Sequence, residues 1–398
     1  MNRDKEAHEV CSPSSNIQHP ISNINIYDTA VIGAGINGCS CAYFLSQAKQ
    51  NVVLIDQDGI ASGGSGAAGA FISPKFTKGG RLKELLEEAY LFSLDFYSRN
   101  FPEHIQKAKL LQIANSDENE VRLNAFKETT TLSYSEDSSE VEPILTPYAK
   151  ASASLVLEEG GVVDAKAMCE ALAEGIDFSK EKVASLHYDD GMWQIGDIRA
   201  KRIILATGSY DLVVEMPYLQ LRRVWGHRID VKSTTKVPYS IHHHLSISPS
   251  SEEGILAIGA THNLHFNPFG DEEYDVEDGR KELLEKALKS VKLENVEVIK
   301  DYVGLRSGSN DYLPIVGEVV DVEKTMDENF KPSKLKRMSD DSFTYFPELY
   351  MINGSGGYGF VLAPYLAKQL TEYITDKTAL DTELIPSRFF RRWAKKQG

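Results

Sequence analysis

Glycines and short hydroxyl side chains at fixed spacing carry most of the chemistry this chain offers. Gly33, Gly35 and Gly38 follow the apolar run Ala30-Val31-Ile32, with Ile36 and Asn37 between them. This spacing predicts a buried strand, a tight turn at Gly33, open backbone for a pyrophosphate at Gly35, and a close helix-to-strand approach at Gly38. Unpaired N–H groups at the helix start favour an anion. The run Asn51-Val-Val-Leu-Ile-Asp56 supplies a returning strand and an acid about 20 residues on, where adenosine ribose hydroxyls are held. Strand, helix, strand and acid together predict a dinucleotide site.

Two further clusters separate a flavin from a nicotinamide nucleotide. Ala61 to Gly69 follows Asp56 directly, and its Ser62, Ser65 and Gly66 offer hydroxyls and bare backbone to phosphate or ribityl oxygens. The strand Arg202–Ala206 ends in Ala206-Thr207-Gly208, and Val183 opens a short strand before it; both are expected to pass the nucleotide. Asn353 to Gly359 precedes the helical pattern from Phe360 onward. There the backbone of Gly356, Gly357, Gly359 and Phe360 can meet the carbonyl edge of an isoalloxazine, which gains negative charge on reduction.

With these motifs the chain resembles the D-amino-acid oxidase and glycine oxidase superfamily of FAD enzymes over residues 25–390. The resemblance rests on Gly33/Gly35/Gly38, on Gly304-Leu-Arg-Ser-Gly-Ser-Asn-Asp-Tyr-Leu-Pro-Ile-Val-Gly317, and on Gly354 to Pro364. Ser65-Gly66 with Pro74-Lys75, Gly161 to Cys169, and Leu221-Arg-Arg-Val-Trp-Gly-His227 are similar to the oxidase half of bifunctional tRNA wobble-uridine enzymes that make 5-methylaminomethyl-2-thiouridine. The resemblance implies non-covalent FAD, with no cysteine in the substrate half to tether it. It also implies a carboxylate-binding role for Arg306, which a guanidinium fork suits. The competing reading of Arg306 is a structural salt bridge. Relatives carry a second arginine in the last glycine motif, where this chain has Gly357-Tyr358-Gly359. Tyr358 is therefore read either as a substrate contact or as a ring packed over the helix start.

The elements that must position these residues follow from periodicity and composition. Residues 25–75, 150–225 and 300–385 are expected to form a discontinuous Rossmann-like α/β FAD-binding domain, and 76–149 with 226–299 a sheet-based substrate domain, giving α+β overall. Leu82, Leu85, Leu86, Ala89, Tyr90 and Phe96 predict a helix before Pro102. Asp164 caps a helix to about Ile176, Val183–His187 and Met192–Ile195 read as short strands, and residues 321–345 as a surface loop. Residues 1–24 are expected to be a disordered leader and 386–398 a basic tail.

Composition fits a soluble cytoplasmic enzyme. No apolar run in these 398 residues reaches bilayer-spanning length, and the four cysteines make no disulfide framework. Cys39 and Cys41 point apart on a helix, which disfavours a redox pair. The triplet His242-His243-His244 alternates faces on a strand and completes no metal site; His227 and His262 are site residues only by position. A net charge of −15 argues against DNA or RNA in general. Basic residues nonetheless gather at Arg222, Arg223, Arg228 and Lys232, and at Arg388, Arg391, Arg392, Lys395 and Lys396, either as solvated faces or as a tRNA handle.

The expected reaction is oxidation of a C–N bond beside a carboxylate. In the tRNA version the carboxymethylaminomethyl group of wobble uridine loses its carboxymethyl arm, and the methyltransferase half is supplied by another protein. The alternative is a small-molecule amine oxidase or dehydrogenase for glycine, sarcosine or a D-amino acid. Neither version requires a protein general base if the amine binds neutral. Oligomeric state is not legible.

Overall fold

The computed structural model describes residues 25–210, 213–326, 335 and 339–397; the expected leader and Cys11 lie outside them. Strand β1 (Asn25–Ile32) leads through Gly33 to helix α1 (Ile36–Gln47) and back to strand β2 (Val52–Asp56). β1 pairs in parallel with β2 on one side and with the strand Ile198–Leu205 on the other. Asp177–Lys180 continues the parallel sheet beyond β2, and Tyr345–Asn353 continues it beyond Leu205. Strands covered on both faces read as near-continuous apolar runs, as Ala30 to Ile32 and Val52 to Ile55 do.

Helix α1, helix α2 (Arg81–Asn100) and the helix Gly359–Asp376 pack together, in one core with Val31 and Leu54. Leu45, Leu54 and Leu86 are fully buried there, each worth roughly 1.5–3 kcal/mol. Ser93 and Tyr97 of α2 donate hydrogen bonds to the carbonyls of Val361 and Phe360 at 2.7 and 3.0 Å.

A second sheet of eight strands runs Glu297–Ser309, Leu221–Lys232, Ile255–Gly259, Ser246–Ile247, Ser240–His242, Leu110–Ile113, Ser154–Leu157, Tyr134–Ser135. One face buries Ile229, Val231, Ile241 and Ile258 against Leu283 and Ala287 of the helix Val276–Ser290. Polar and glycine residues occupy the alternate positions on the other face, which lines a cavity at Gly226, His242, Ser246, Gly259 and Arg306. This sheet recruits Ser154–Leu157, the start of Leu221–Lys232 and most of Glu297–Ser309 from stretches expected in the nucleotide-binding domain. Conversely, α2 packs into the nucleotide-binding core. Helical periodicity could show that α2 has an apolar face but not which core it joins.

Several local expectations need correction. Asp164 does cap its helix, accepting from the N–H groups of Lys166 and Ala167, but the helix ends at Leu172. The chain then turns at Gly175 (φ +73°) to enter the parallel strand Asp177–Lys180. Residues 183–186 are irregular and the strand begins at His187, so Val183 is a loop residue. The described part of 321–345 holds the one-turn helix Val322–Thr325 and buried Phe343, whose ring meets Phe390 edge-on. The basic tail is folded in part: Ser387–Ala394 is an amphipathic helix with Phe389 and Phe390 buried, while Arg392, Lys395 and Lys396 are exposed. Its Arg388 pairs with Asp311 at 3.0 Å, and Arg391 with Asp340 at 2.7 Å.

Candidate active site

One cavity of about 950 Å³ lies between the two sheets. Its wall includes Gly33, Gly35, Ile36, Asn37, Asp56, Ser62, Ser65, Val183, Ala206, Thr207 and Gly208 from the expected nucleotide site. Gly356, Gly357, Tyr358, Gly359, Phe360 and Arg306 line it as well. Gly38 and Gly66 do not. Gly38 makes the close helix-to-strand approach, since a Cβ there would come within 1.8 Å of the Gly33 carbonyl oxygen, and Gly66 is likewise tightly packed, a Cβ coming within 2.1 Å of the Ala61 carbonyl oxygen.

Gly33 holds φ +104°, and a Cβ there would lie 2.4 Å from the Ala206 carbonyl oxygen, so the turn after β1 abuts the end of the returning strand. Asp56 braces this turn from β2, accepting from the N–H groups of Ala34 at 2.8 Å and Asp58 at 2.9 Å. The loop after β2 folds over α1, where Ser65 Oγ accepts from the N–H of Ile36 at 2.9 Å. Gly35 caps α1 with no side chain, leaving the helix start open to the cavity. Asn37 meets the last glycine cluster through Ser355, 3.3 Å away. The Gly359–Asp376 helix likewise begins on the cavity wall without a side-chain cap. Thr207 Oγ1 is buried and has no hydrogen-bond partner among the described residues. Two helix starts whose N-cap residues supply no side-chain acceptor, cradles that a Cβ would fill and an orphaned hydroxyl fit the phosphates and polar edge of a flavin dinucleotide.

Arg306 reaches the cavity from the second sheet. Gly226 on the adjacent strand makes room for it: a Cβ there would lie 2.4 Å from Arg306 Nη2. Nη1 donates to the Thr261 carbonyl at 3.1 Å, and among the described residues no carboxylate pairs with the guanidinium. Burial pushes its pKa below the usual arginine value, which still leaves a cation. Tyr358 packs beside the core around α1 and burial raises its phenol to about 12, so it stays protonated as a donor.

The histidines divide by face. His262 and His242 line the cavity. His227 is fully buried elsewhere, bonded to Asp301 at 2.9 Å and to the Tyr274 hydroxyl at 3.3 Å. His243 bonds Ser290 at 2.9 Å. Gln112, His242, Ser246 and Thr261 were not singled out from the sequence as site residues. Period-two alternation selects which residues share a face, but the register of three separate strands and the path of the loop after Gly259 are needed to bring these four to one wall.

The FAD dependent oxidoreductase (DAO) family profile matches residues 28–373. The chain belongs to that family. This FAD-dependent oxidoreductase is 24% identical over 396 residues to the tRNA 5-methylaminomethyl-2-thiouridine biosynthesis bifunctional protein MnmC of Legionella pneumophila (strain Corby), covering 91% of this chain and 57% of the relative. It is 25% identical over 413 residues to the protein of the same description from Leptospira interrogans serogroup Icterohaemorrhagiae serovar Lai (strain 56601), covering 94% and 62%. The chain thus spans about three fifths of these relatives. Among solved structures its fold matches glycine oxidase from Geobacillus kaustophilus, with TM-score 0.71, 19% identity, and coverage of 90% of this chain and 97% of that one. Iminodiacetate oxidase from Chelativorans sp. BNC1 matches with TM-score 0.70, 18% identity, and coverage of 90% and 98%.

Proposed function

We propose that this FAD-dependent oxidoreductase oxidises the C–N bond of a secondary amine that carries a carboxymethyl arm. The observation that carries this reading is Arg306: a desolvated cation on the cavity wall, held by a single backbone carbonyl, with no carboxylate partner among the described residues in a chain of net charge −15. A buried charge without a partner is costly, and a bound carboxylate removes that cost through bidentate charge-assisted bonds. Bound non-covalently, FAD supplies the acceptor for the substrate's two electrons. Residues at the α1 start, Ser65, Asp56 and Thr207 are assigned to its nucleotide half, and the Gly356–Phe360 backbone to its ring.

Arg306 fixes the carboxylate, and with it the adjoining carbon, so positioning carries most of the rate enhancement. The amine binds neutral. It loses a hydride from carbon, leaving an iminium that keeps its N–H; water adds to that iminium carbon and the C–N bond breaks, releasing the primary amine as its ammonium form and glyoxylate. Tyr358 stays a neutral donor at the cavity wall throughout. No protein base is needed for this sequence.

For the amine's other substituent we propose the wobble uridine of tRNA, on the strength of the bifunctional relatives' described role. Arg223 lies 5.0 Å from the ring of exposed Phe269 at the cavity wall, and Arg222 lies 4.5 Å from that of exposed Tyr312, an arrangement suited to unpaired bases. Pairing of Arg388 and Arg391 within the fold favours the second reading, a free N-carboxymethyl amine such as iminodiacetate. Free, buried Cys39, Cys41 and Cys169 are in keeping with a reducing cytoplasm. Mass spectrometry of products after incubation with tRNA carrying the carboxymethylaminomethyl group, and separately with iminodiacetate and sarcosine, tests both. Conversion of the tRNA nucleoside to its aminomethyl form supports the first. Turnover of the small amines with untouched tRNA supports the second.

A further inference from the structure

We infer that Gln112, His242 and Ser246 form a second binding subsite in the same cavity, which takes a neutral, planar amide- or imide-like head at the far end of the amine substrate from its carboxylate. The inference rests on the reading that Arg306 holds that carboxylate.

The three residues come from three strands and lie in one row. Gln112 is opposite His242, His242 opposite Ser246, and Ser246 opposite Gly259. Neighbours in such a row are about 4.8 Å apart. Gly259 in turn faces Arg228, two residues along the strand from Gly226, against which the Arg306 guanidinium rests. Two strand spacings and one two-residue step put Ser246 about 12 Å from Gly226 at the backbone. Both line the cavity wall. An N-carboxymethyl amine with a six-membered ring on its other arm has the length to reach from one to the other.

The row is polar and unsatisfied. His242 Nε2 is buried with no hydrogen-bond partner among the described residues. Its ring is set by an edge contact with Phe71, 5.2 Å between centroids and 81° between planes. Gln112 spends one amide N–H on the Ile113 carbonyl at 3.1 Å, leaving its oxygen to accept from a ligand and its second N–H to donate. The Ser246 hydroxyl likewise has no partner among the described residues. Burial lowers the His242 pKa to about 4, so at neutral pH the row offers no charge. Of the charged residues on the cavity wall, Asp56, Asp58, Glu181 and Lys182 belong to the stretches assigned to the nucleotide, and Arg306 is taken by the carboxylate. A carboxylate or ammonium head would therefore lose its hydration without a counter-charge, whereas an amide or imide edge exchanges donors and acceptors with all three side chains. Phe71 and Phe76 on the same wall suit a flat ring.

The test compares two N-carboxymethyl amines of similar size in the holoenzyme: 5-(carboxymethylaminomethyl)uracil, whose ring has an imide edge, and N-benzylglycine, whose ring has none. We expect kcat/KM at least about tenfold higher for the uracil compound, as for one buried polar group satisfied. His242→Phe should remove most of that preference, bringing the two compounds to within a few-fold, and Gln112→Leu, the second variant should the first not fold, should reduce it by a factor of a few. Equal kcat/KM for the two compounds, or a preference that survives both substitutions, overturns the subsite while leaving the carboxylate reading intact. If neither compound, nor sarcosine, nor iminodiacetate is oxidised, the functional reading fails and the subsite falls with it.

Discussion

The Gly226→Ala substitution probes Arg306 without removing it. The added methyl carbon would lie 2.4 Å from Nη2, 2.6 Å from Cζ and 3.0 Å from Nη1 of Arg306. Carbon and nitrogen without a bond between them approach to roughly 3.5 Å, so the guanidinium must retreat by about 1 Å. The obstructing atoms are the far end of a flexible side chain, so the strands themselves need not part. A retreat of that size breaks the 3.1 Å bond to the Thr261 carbonyl and misaligns the fork from a carboxylate. Losing one charge-assisted bond costs about 1.5–3 kcal/mol, or roughly ten- to 150-fold in kcat/KM. The assay is steady-state turnover of an N-carboxymethyl amine, with flavin content from the visible spectrum and Tm by calorimetry. Flavin content and Tm should stay near those of the parent protein while kcat/KM falls. Because both changes act through one group, Arg306→Ala with Gly226→Ala should cost little more than Arg306→Ala alone. An unchanged kcat/KM in Gly226→Ala, or full additivity with Arg306→Ala, would refute the role given to this pocket.

Other consequences follow from the same geometry. A branched side chain at Gly35 starts from a Cβ only 2.9 Å from Ser65 Oγ and projects into the open start of α1; Gly35→Val should purify colourless, and a yellow protein with full flavin content would refute the placement. His242 and His243 both have pKa values lowered to about 4 by burial. The unfolded chain takes up these protons first, so the stability they confer is complete above about pH 6.5 and is lost on acidification towards pH 4, by up to about 3 kcal/mol each. Denaturant titrations from pH 7.5 to 4.5 should show that loss, reduced in His243→Asn; a flat profile contradicts it. Asp311→Ala leaves the cation of Arg388 part-buried and unpaired, costing about 3 kcal/mol in urea unfolding; a change under 1 kcal/mol would mean the pair contributes little. If tRNA binds through the tail, Arg392, Lys395 and Lys396 are the cations there without a carboxylate partner among the described residues; changing all three to glutamine should lower the salt slope of binding by about 0.7–0.9 for each phosphate that is no longer neutralised, and an unaltered slope would exclude the tail.

Sequence exposed the nucleotide half of this site because its signal is local. Strand, glycine turn, helix and acid lie within residues 30–56, and each glycine there answers a steric demand that the structure makes visible, such as Gly38 against the Gly33 carbonyl. Substrate-side residues are assembled by register between distant strands, so Gln112 and Ser246 looked like ordinary strand positions and His242 like one of three alternating imidazoles. Charge counting misled at the C-terminus, where the sequence records five cations but not the carboxylates of Asp311 and Asp340 that meet two of them. Domain boundaries suffered likewise: α2 carries an apolar face, and only packing decides that Ser93 and Tyr97 dock on the helix after Tyr358.

The carbon that is oxidised gives the most direct test. Incubating the holoenzyme with an N-carboxymethyl amine labelled with ¹³C in the carboxymethyl arm should release labelled glyoxylate and the unlabelled primary amine in equal amounts, with loss of both products in Arg306→Ala. Release of unlabelled aldehyde from the other arm together with labelled glycine, or an Arg306→Ala variant that still makes glyoxylate at the parent rate, would contradict oxidation directed by a carboxylate on Arg306.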